Sequence, residues 1–397
     1  MLDSAFVKTA SIFFALIALP GGGAHAVPQP GPLARFPVEK LLSIGSYLRN
    51  TELALIETKP SGSLKQLTAM TLAQAPPEKV RDIVIHAERY SEFVRNMEES
   101  RVTPNKDGTF DHYYKVSYTV QTIYGRHRYV MLPQVSSSPA APVDMYDCDD
   151  NGTRHFRWEF LPFFGGTVVV LYGYDEVPSD GFVGKVLRAV PTLEYGLALI
   201  PQMTLLLAMK SHAEQLYPTK VTVPVGTKVG SIGFLLERGM LALFRSQQGK
   251  LVDTTMMAET RAAPERVLSV IGQPTDWSHF IPSITQSDDR GQKNGVAAFE
   301  MEQSVPLMSW DTTFGLRRDK NSVDMFGLEG DLRGGRMRWD TQTKNGKTEL
   351  VLRTQWAFDR SSVVMRQLYK LEPLFEYGVN VGMGLVLLRS VKVKAEQ

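Results

Sequence analysis

A long internal repeat constrains the fold of this chain more than any other feature of its sequence. Short runs of residues recur at offsets of 181 to 187 positions. The matching runs and residues are Pro77–Val80 with Pro264–Val267, Tyr90 with Trp277, Phe93 with Phe280, Ser100 with Ser287, Arg157–Glu159 with Arg338–Asp340, and Glu194–Gly196 with Glu376–Gly378. A repeat of this length indicates two copies of one domain. The length of 397 residues also suits two domains better than a single core.

The repeat divides the chain into two domains and two further segments. We predict a signal peptide over 1–26, a first domain with a leading helix over 27–217, a linker over 218–225, and a second domain with its own leading helix over 226–397. Each copy contains a full set of predicted strands and a closing helix. We therefore expect each copy to have its own core and to fold by itself.

The first 26 residues are typical of a secretory signal. Lys8 precedes an apolar stretch over 10–20, and the small-residue site Ala24-His25-Ala26 follows it. An uncleaved anchor is the alternative, but the stretch is much shorter than the roughly 20 apolar residues that a membrane-spanning helix needs. We therefore predict cleavage after Ala26 and a secreted or periplasmic protein.

Charge and cysteine content argue against several classes of function. Lys and Arg total 44 against 42 Asp and Glu, and no run of like charge is long enough to follow a phosphate backbone. Cys148 is the only cysteine, so it has no partner for a disulfide within the chain, and no clustered histidines accompany it as metal ligands. The sequence predicts no nucleic-acid partner, no metal site and no cofactor.

The periodicity of apolar residues predicts the same order of elements in both copies. Pro76-Pro77 and Pro264 mark the start of a short helix in each copy, because proline suits the first helical turn. The predicted segments are leading helices at 37–50 and 225–245, first strands at 64–73 and 251–260, later strands of the first copy at 113–120, 126–131, 155–160 and 167–174, and closing helices at 182–216 and 362–394.

This order, together with one repeated motif, resembles a known superfamily. The segments 75–80 and 90–94 of the first copy, and 263–267 and 277–282 of the second, resemble an A-P-x-x-V motif followed by W-x-x-F-hydrophobic-P. Both features are similar to the START-like superfamily, which includes polyketide cyclases, coenzyme-Q-binding START-like proteins and lipid-transfer START domains. The first copy departs from the motif, with Tyr90 in place of Trp and Arg95 in place of Pro.

The resemblance implies both a fold and a class of ligand. The fold is α+β, with two tandem helix-grip domains, each an antiparallel sheet wrapped around a long C-terminal helix. Between sheet and helix lies an apolar cavity for a lipid, sterol, quinone or similar hydrophobic small molecule. We expect binding and transfer of such a ligand in the cell envelope; a polyketide cyclase or dehydratase-like enzyme and a ligand-free interaction module are the alternatives.

Eight residues are candidates for contact with the ligand. They are the tryptophan of each repeated strand, the carboxylate and tyrosine in the first turn after Pro191 and Pro373 of the closing helices, and two glycines of the second closing helix: Trp158, Trp339, Glu194, Tyr195, Glu376, Tyr377, Gly378 and Gly382. Alternation along a strand predicts Trp inward and its charged neighbours outward, with a cavity-facing Arg as the alternative. The carboxylates also suit helix capping, and the glycines also suit close backbone packing.

Histidines are the residues that an acid–base enzyme would use. His112, His127 and His155 lie on or beside strands of the first copy, and the position equivalent to His155 in the second copy is Arg336. No Ser-His-Asp, Cys-His or H-E-x-x-H pattern gathers around them. We therefore predict no catalytic residue.

One hairpin differs in kind between the copies. Its turn contains Phe163 and Phe164 in the first copy, whereas the matching turn over 341–347 is polar. Solvent normally selects polar residues at such tips. We predict transient membrane contact through the two phenylalanines, with packing against the second domain or the closing helix as the alternative.

Overall fold

The repeat of the sequence reappears as a repeat of secondary structure. A computed structural model describes residues 33–118, 121–132, 140–148, 155–174, 193–247, 250–293, 295–305, 308–355, 366 and 375–397. Tertiary contacts divide the chain into two units. The first takes the described residues of 1–59, 64–177 and 201–232; the second takes those of 60–63, 178–200 and 233–397.

The described part of the first copy contains eight strands, a short leading helix, a helix before the third strand and a closing helix. In chain order these are α1 Val38–Ser43, β1 Glu52–Thr58, β2 Leu64–Ala73, α2 Pro77–Ile85, β3 Met97–Pro104, β4 Phe110–Tyr118, β5 Gln121–Met131, β6 Val143–Asp147, β7 His155–Phe163, β8 Gly166–Tyr174 and α3 Leu193–Leu216. Short 3₁₀ helices at Tyr47–Arg49 and Ala87–Glu92 follow α1 and α2.

The described part of the second copy has the same order. Its elements are α4 Gly233–Leu236, β9 Met240–Gln247, β10 Lys250–Thr260, α5 Pro264–Ile271, β11 Ile284–Lys293, β12 Val296–Val305, β13 Met308–Arg318, β14 Ser322–Gly330, β15 Arg336–Lys344, β16 Lys347–Gln355 and α6 Phe375–Glu396. A 3₁₀ helix at Pro274–His279 follows α5. The predicted order of strand, short helices, antiparallel strands and long closing helix is confirmed in both copies.

Strand order is also the same in the two units. In the first unit it is β1-β2-β8-β7-β6-β5-β4-β3, and in the second it is β9-β10-β16-β15-β14-β13-β12-β11. Neighbouring strands within each unit are antiparallel. The closing helix α6 packs on β10, β16 and α5 of its own unit.

The predicted leading helices are only partly correct. The helix predicted over 225–245 is wrong in its second half, because β9 begins at Met240. In the first copy the helix ends early and β1 follows at Glu52, with its first six residues buried. A strand buried on both faces lacks the alternation that identifies strands from sequence, so its apolar run resembles a helix.

The leading segment of the first unit covers the outer face of its sheet. The side-chain amide of Gln66 on β2 donates to the carbonyl of Ala34 at 2.9 Å and accepts from the Ala34 N–H at 2.8 Å. Arg35 Nε lies 2.7 Å from Glu159 Oε1 on β7, and the Glu159 side chain is only 3% exposed. The expectation that both charged neighbours of Trp158 face solvent is therefore wrong for Glu159, because the leading segment covers that face.

The segment predicted as a linker is bonded to the first unit. The N–H of Thr219 donates to the carbonyl of Gln74 at 2.8 Å, and the N–H of Thr222 donates to the carbonyl of Phe164 at 3.1 Å. Both contacts lie within the first unit as the tertiary contacts define it. Independent folding of the two copies stays a prediction.

Candidate ligand-binding site

A small cavity lies inside the first unit, between its sheet and the second half of α3. Its volume is about 110 Å³, and the lining surface is mostly apolar. The lining residues come from β4 and β5, from the segment around the 3₁₀ helix and β3, and from α3: Tyr90, Val94, Arg95, Met97, His112, Tyr114, Val116, His127, Tyr129, Pro201, Thr204 and Leu205. A cavity of this size accommodates a single ring or a short chain.

Strand register explains why the polar aromatic residues gather on one wall. His112 on β4 pairs directly with His127 on β5, and Tyr114 pairs with Gly125. Residues two apart on a strand share a face, so both histidines and Tyr114 point to the same side of the sheet. A Cβ at Gly125 would overlap the Tyr114 ring, so the glycine lets that ring lie across β5.

His112 is the most unusual group of this wall. It is 2% exposed. Its Nε2 lies 2.8 Å from Ser100 Oγ, whose hydroxyl in turn bonds to the carbonyl of Ala87. In the part of the chain that the structure describes, His112 Nδ1 has no hydrogen-bond partner. A buried polar atom without a partner is rare in folded proteins and calls for an explanation.

Burial also fixes the charge of His112. Loss of solvation lowers its pKa to about 3, and the nearby His127 lowers it further in the same direction. His112 is therefore a neutral imidazole at any pH near 7. The cavity wall presents a neutral ring, with one nitrogen held by Ser100 and one left over.

Two tyrosines complete the deep end of the cavity. The Tyr90 hydroxyl donates to the carbonyl of Val84 at 2.5 Å and lies 3.3 Å from the Tyr129 hydroxyl. Burial raises the pKa of both phenols well above the usual value. Both stay protonated, so this end of the cavity is polar but uncharged.

The equivalent positions of the second unit are filled by apolar rings. At the shift of 187 residues, His112 and His127 correspond to Phe299 and Phe314, which form the same cross-strand pair. Their rings stack with centroids 5.6 Å apart. Trp277, which replaces Tyr90, lies 6.2 Å from Phe299. The same wall is lined by polar rings in one copy and formed by contacting apolar rings in the other.

The predicted tryptophans lie inward but do not line this cavity. Trp158 and Trp339 are fully buried on β7 and β15, and Trp339 packs 6.4 Å from Trp277. Within the described residues the indole nitrogens of both lack a partner. Because this feature is common to both units, it does not distinguish a ligand site from a packed core.

Three of the predicted residues of the closing helices, Glu194, Tyr195 and Gly382, are described and are not part of the cavity lining. Glu194 is buried, and the Tyr195 hydroxyl donates to the carbonyl of Gly62, which fixes the tyrosine to a loop of the second unit. A Cβ at Gly382 would come within 4.0 Å of the Gly196 Cα, so Gly382 lies at a close helix approach in that unit. The side chains of Glu376 and Tyr377, and the surroundings of Gly378, lie outside the described residues.

The two phenylalanines of the hairpin have different environments. Phe163 is 5% exposed and Phe164 is 43% exposed. A Cβ at Gly45 would overlap the Phe163 ring, so Phe163 packs under the leading segment of its own unit. The expectation that both rings occupy an exposed tip is wrong for Phe163. Phe164 adopts the left-handed region, with φ of 45°.

His155, the third strand histidine, belongs to the outer face of the sheet. Its Nε2 lies 3.0 Å from Asp144 Oδ1, and its ring stacks on Tyr146. The sequence named all three histidines only as candidates for catalysis. Alignment of the two copies places His112 and His127 opposite two phenylalanines of the second copy. This replacement is the sequence signal that one wall of the first interior is polar.

Among the residues described, no three His, Cys, Asp or Glu side chains are grouped so as to hold a metal ion. None of the described helices combines the length and apolar character needed to cross a membrane.

No protein-family model matches the chain, and no curated protein matches it. Among solved structures it is similar to the di-domain ARO/CYC StfQ from the steffimycin biosynthetic pathway, with a TM-score of 0.29 and 13% identity over 83% of this chain and 98% of that one. It is also similar to the Zhui aromatase/cyclase from Streptomyces sp. R1128, with a TM-score of 0.31 and 16% identity over 36% and 93% of the two chains.

A third similar structure is the STAR-related lipid transfer protein (fragment 25–204) from Xanthomonas axonopodis, with a TM-score of 0.28 and 11% identity over 40% of this chain and 94% of that one. The element order of each copy is the order that the sequence analysis predicts for a helix-grip fold.

Proposed function

We propose that the first unit binds a small, largely apolar molecule, or the ring of a larger one, in the cavity beside His112. The carrying observation is His112 Nδ1, a buried nitrogen without a partner among the described residues, on a side chain that lines a mostly apolar cavity. An apolar cavity with a few well-placed polar groups is the usual form of a small-molecule site. In this proposal the sheet wraps around its closing helix, and the cavity lies between them.

The state of His112 favours binding over acid–base catalysis. A general base works best when its pKa lies near the working pH. The pKa of His112 is about 3, so its imidazole is a weak base at neutral pH. A neutral ring of this kind is suited to accept a hydrogen bond and to orient a ligand. The cyclase or dehydratase alternative is therefore less well supported than the carrier.

The second unit is better suited to a structural or interaction role. Phe299, Phe314 and Trp277 occupy the space that corresponds to the cavity wall of the first unit. Burying large aromatic side chains stabilises a core by about 1.5–3 kcal/mol each. The proposal therefore assigns ligand binding to the first unit and leaves the ligand-free alternative for the second.

Transfer in the cell envelope forms the remaining part of the proposal. Cleavage after Ala26 would deliver the chain to that compartment, but residues 1–32 lie outside the described ones. Phe164 is exposed and bulky in a left-handed turn position, where a large side chain is costly. An exposed phenylalanine kept in an unfavourable backbone conformation supports a role in membrane contact. Burial of one Phe side chain in a membrane contributes about 1.5–3 kcal/mol.

Binding of toluene tests the proposal directly. Toluene is a single apolar ring of suitable size, and we expect it to shift the NMR signals of residues around the cavity in a saturable way. Leu205 lines the cavity on α3, so Leu205→Trp should fill the space and abolish these shifts. Mass spectrometry of organic extracts from the purified protein should then identify the natural ligand.

The matched control adds the same bulk to the same helix outside the cavity. Leu216 on α3 is 43% exposed, and Leu216→Trp should leave toluene binding unchanged. Loss of binding in both variants, or in neither, would contradict the assignment of the cavity. Absence of any saturable shift in the unaltered protein would overturn the proposed function itself.

A further inference from the structure

The protons around His112 can be assigned one by one. The Ser100 hydroxyl has a single proton, and it donates that proton to the carbonyl of Ala87. Ser100 Oγ must therefore accept the hydrogen bond at its 2.8 Å contact with His112 Nε2. This places the imidazole proton on Nε2. The remaining nitrogen, Nδ1, carries a lone pair and can only accept.

Neighbouring groups do not supply the missing donor. In the described part of the chain Nδ1 has no partner, and the Tyr90 hydroxyl, whose ring lies 5.2 Å from that of His112, donates instead to Val84. Protonation of Nδ1 would not satisfy the site either, because burial strongly disfavours the imidazolium. His112, which lines the cavity, therefore carries a buried acceptor for which the described protein groups supply no donor.

Charge in the cavity limits what that donor can be. The described lining residues include the cation Arg95 and no Asp or Glu. A protonated amine would find no Asp or Glu among the described lining residues to pair with, and burying an unpaired charge is costly. A carboxylate has no proton to donate. A hydroxyl on an apolar ring is uncharged, donates one hydrogen bond and fits the mostly apolar lining.

We propose that the first unit selects a hydroxylated ring, such as a phenol, whose O–H donates to His112 Nδ1 while Ser100 holds the ring in the required tautomer. The inference rests on the proposed function and names its ligand class. His112 is the specificity residue, because it would touch the ligand. Ser100 is a positioning residue, because it acts through His112.

Comparison of Ser100 and His112 with their counterparts in the second copy supports the roles proposed for them. Ser287, the counterpart of Ser100, keeps the hydrogen bond to a backbone carbonyl, that of Pro274, at 2.6 Å. Its neighbour at the position of His112 is Phe299, which has no nitrogen to orient. The serine thus has a structural bond in both copies and, among the described residues, a histidine partner in the first copy alone.

Comparison of phenol with toluene tests the inference, because the two rings differ in one hydroxyl. We expect the unaltered protein to bind phenol about tenfold more tightly than toluene, since a buried acceptor gains its missing bond. In His112→Phe, which copies the second unit, the preference should vanish while the chain stays folded. In Ser100→Ala the tautomer is no longer fixed, so the preference should fall and toluene affinity should not change.

Nitrogen NMR of the imidazole provides a readout that a purely structural role would not move. Phenol should shift the ¹⁵N signal of His112 Nδ1 toward that of a hydrogen-bonded nitrogen, and toluene should not. Equal affinities for phenol and toluene in the unaltered protein would overturn the hydroxyl inference and leave the proposed function standing. Failure of both rings to bind would overturn the proposed function as well.

Discussion

The two copies of this chain use one strand pairing to build two different interiors. In the first unit the cross-strand pair is His112 and His127, beside a cavity. In the second it is Phe299 and Phe314, stacked on each other and next to Trp277. The backbone register is the same in both, so the difference lies in the paired side chains, which are two polar rings in the first unit and two stacked apolar rings in the second.

The outer faces of the two sheets show a second difference. Glu159 on β7 is buried beneath Arg35 of the leading segment, whereas Asp340 at the equivalent position of β15 has a side chain that is 25% exposed and bonds to Arg338. The same repeated tripeptide therefore has a covered carboxylate in one unit and a surface ion pair in the other. Burial by a distant segment changes the environment of a residue without changing its strand.

Truncation of one ring of each cross-strand pair should give the largest difference in stability between the two units. Phe314 is fully buried, so Phe314→Ala should lower the free energy of unfolding by about 3–5 kcal/mol through lost burial and a new void. His127 lines an existing cavity and is partly exposed, so His127→Ala should cost roughly 1–2 kcal/mol. Urea unfolding of the full chain measures both. Equal losses would show that the first unit is packed as tightly as the second.

Acid should destabilise the first interior through His112. Its pKa is about 3 in the folded protein against 6.5 for a free histidine. Between these values the unfolded chain takes up a proton that the folded chain does not, so this contribution is fully present above pH 6.5 and is lost as pH falls toward 3. At pH 4.5 the loss is about 2–3 kcal/mol. His112→Phe should remove it.

Urea unfolding at pH 7.5 and pH 4.5 measures this difference. We expect the acid-induced loss of stability to be smaller in His112→Phe than in the unaltered protein. The second unit provides an internal comparison, because Phe299 already occupies the equivalent position. The same loss in both proteins would mean that His112 is not buried in its neutral form.

The β-hairpin turns should show the smallest effect. Phe164 and Gly165 have φ of 45° and 92°, and Asn345 and Gly346 have φ of 52° and 75°, so both turns use two left-handed residues. Asn tolerates this region far better than a bulky residue does. Phe164→Asn should therefore raise the free energy of unfolding by about 1 kcal/mol, and Asn345→Phe should lower it by about as much.

The same variants test whether Phe164 contacts a membrane. Thermal unfolding reports stability, and sedimentation with anionic vesicles reports membrane contact. Higher stability with weaker vesicle binding in Phe164→Asn would fit a contact role for the ring. Higher stability with unchanged vesicle binding would leave Phe164 as a strained turn residue only.

Local pattern predicted much of the fold. The strand predicted over 64–73 is β2, and the predicted strand over 167–174 is β8 extended by one residue. Prolines placed the starts of α2 and α5 correctly. The missed strands β1 and β9 are those whose apolar runs lack alternation. The candidate site was harder to find, because Trp158, Glu194 and Tyr195 have patterns typical of sites but lie in packed surroundings.

The sequence alone determined the repeat, the order of elements from β2 and β10 onward, and the inward side of the Trp158 and Trp339 strands, because local patterns within each copy record them. Only the tertiary structure decided which inward residues border an open space. His112 became a candidate through the pairing of β4 with β5, the bond from Ser100 and the coverage by α3, which join residues 12 to more than 90 positions apart. Whether a buried nitrogen has a partner depends on such distant groups, and no local pattern records it.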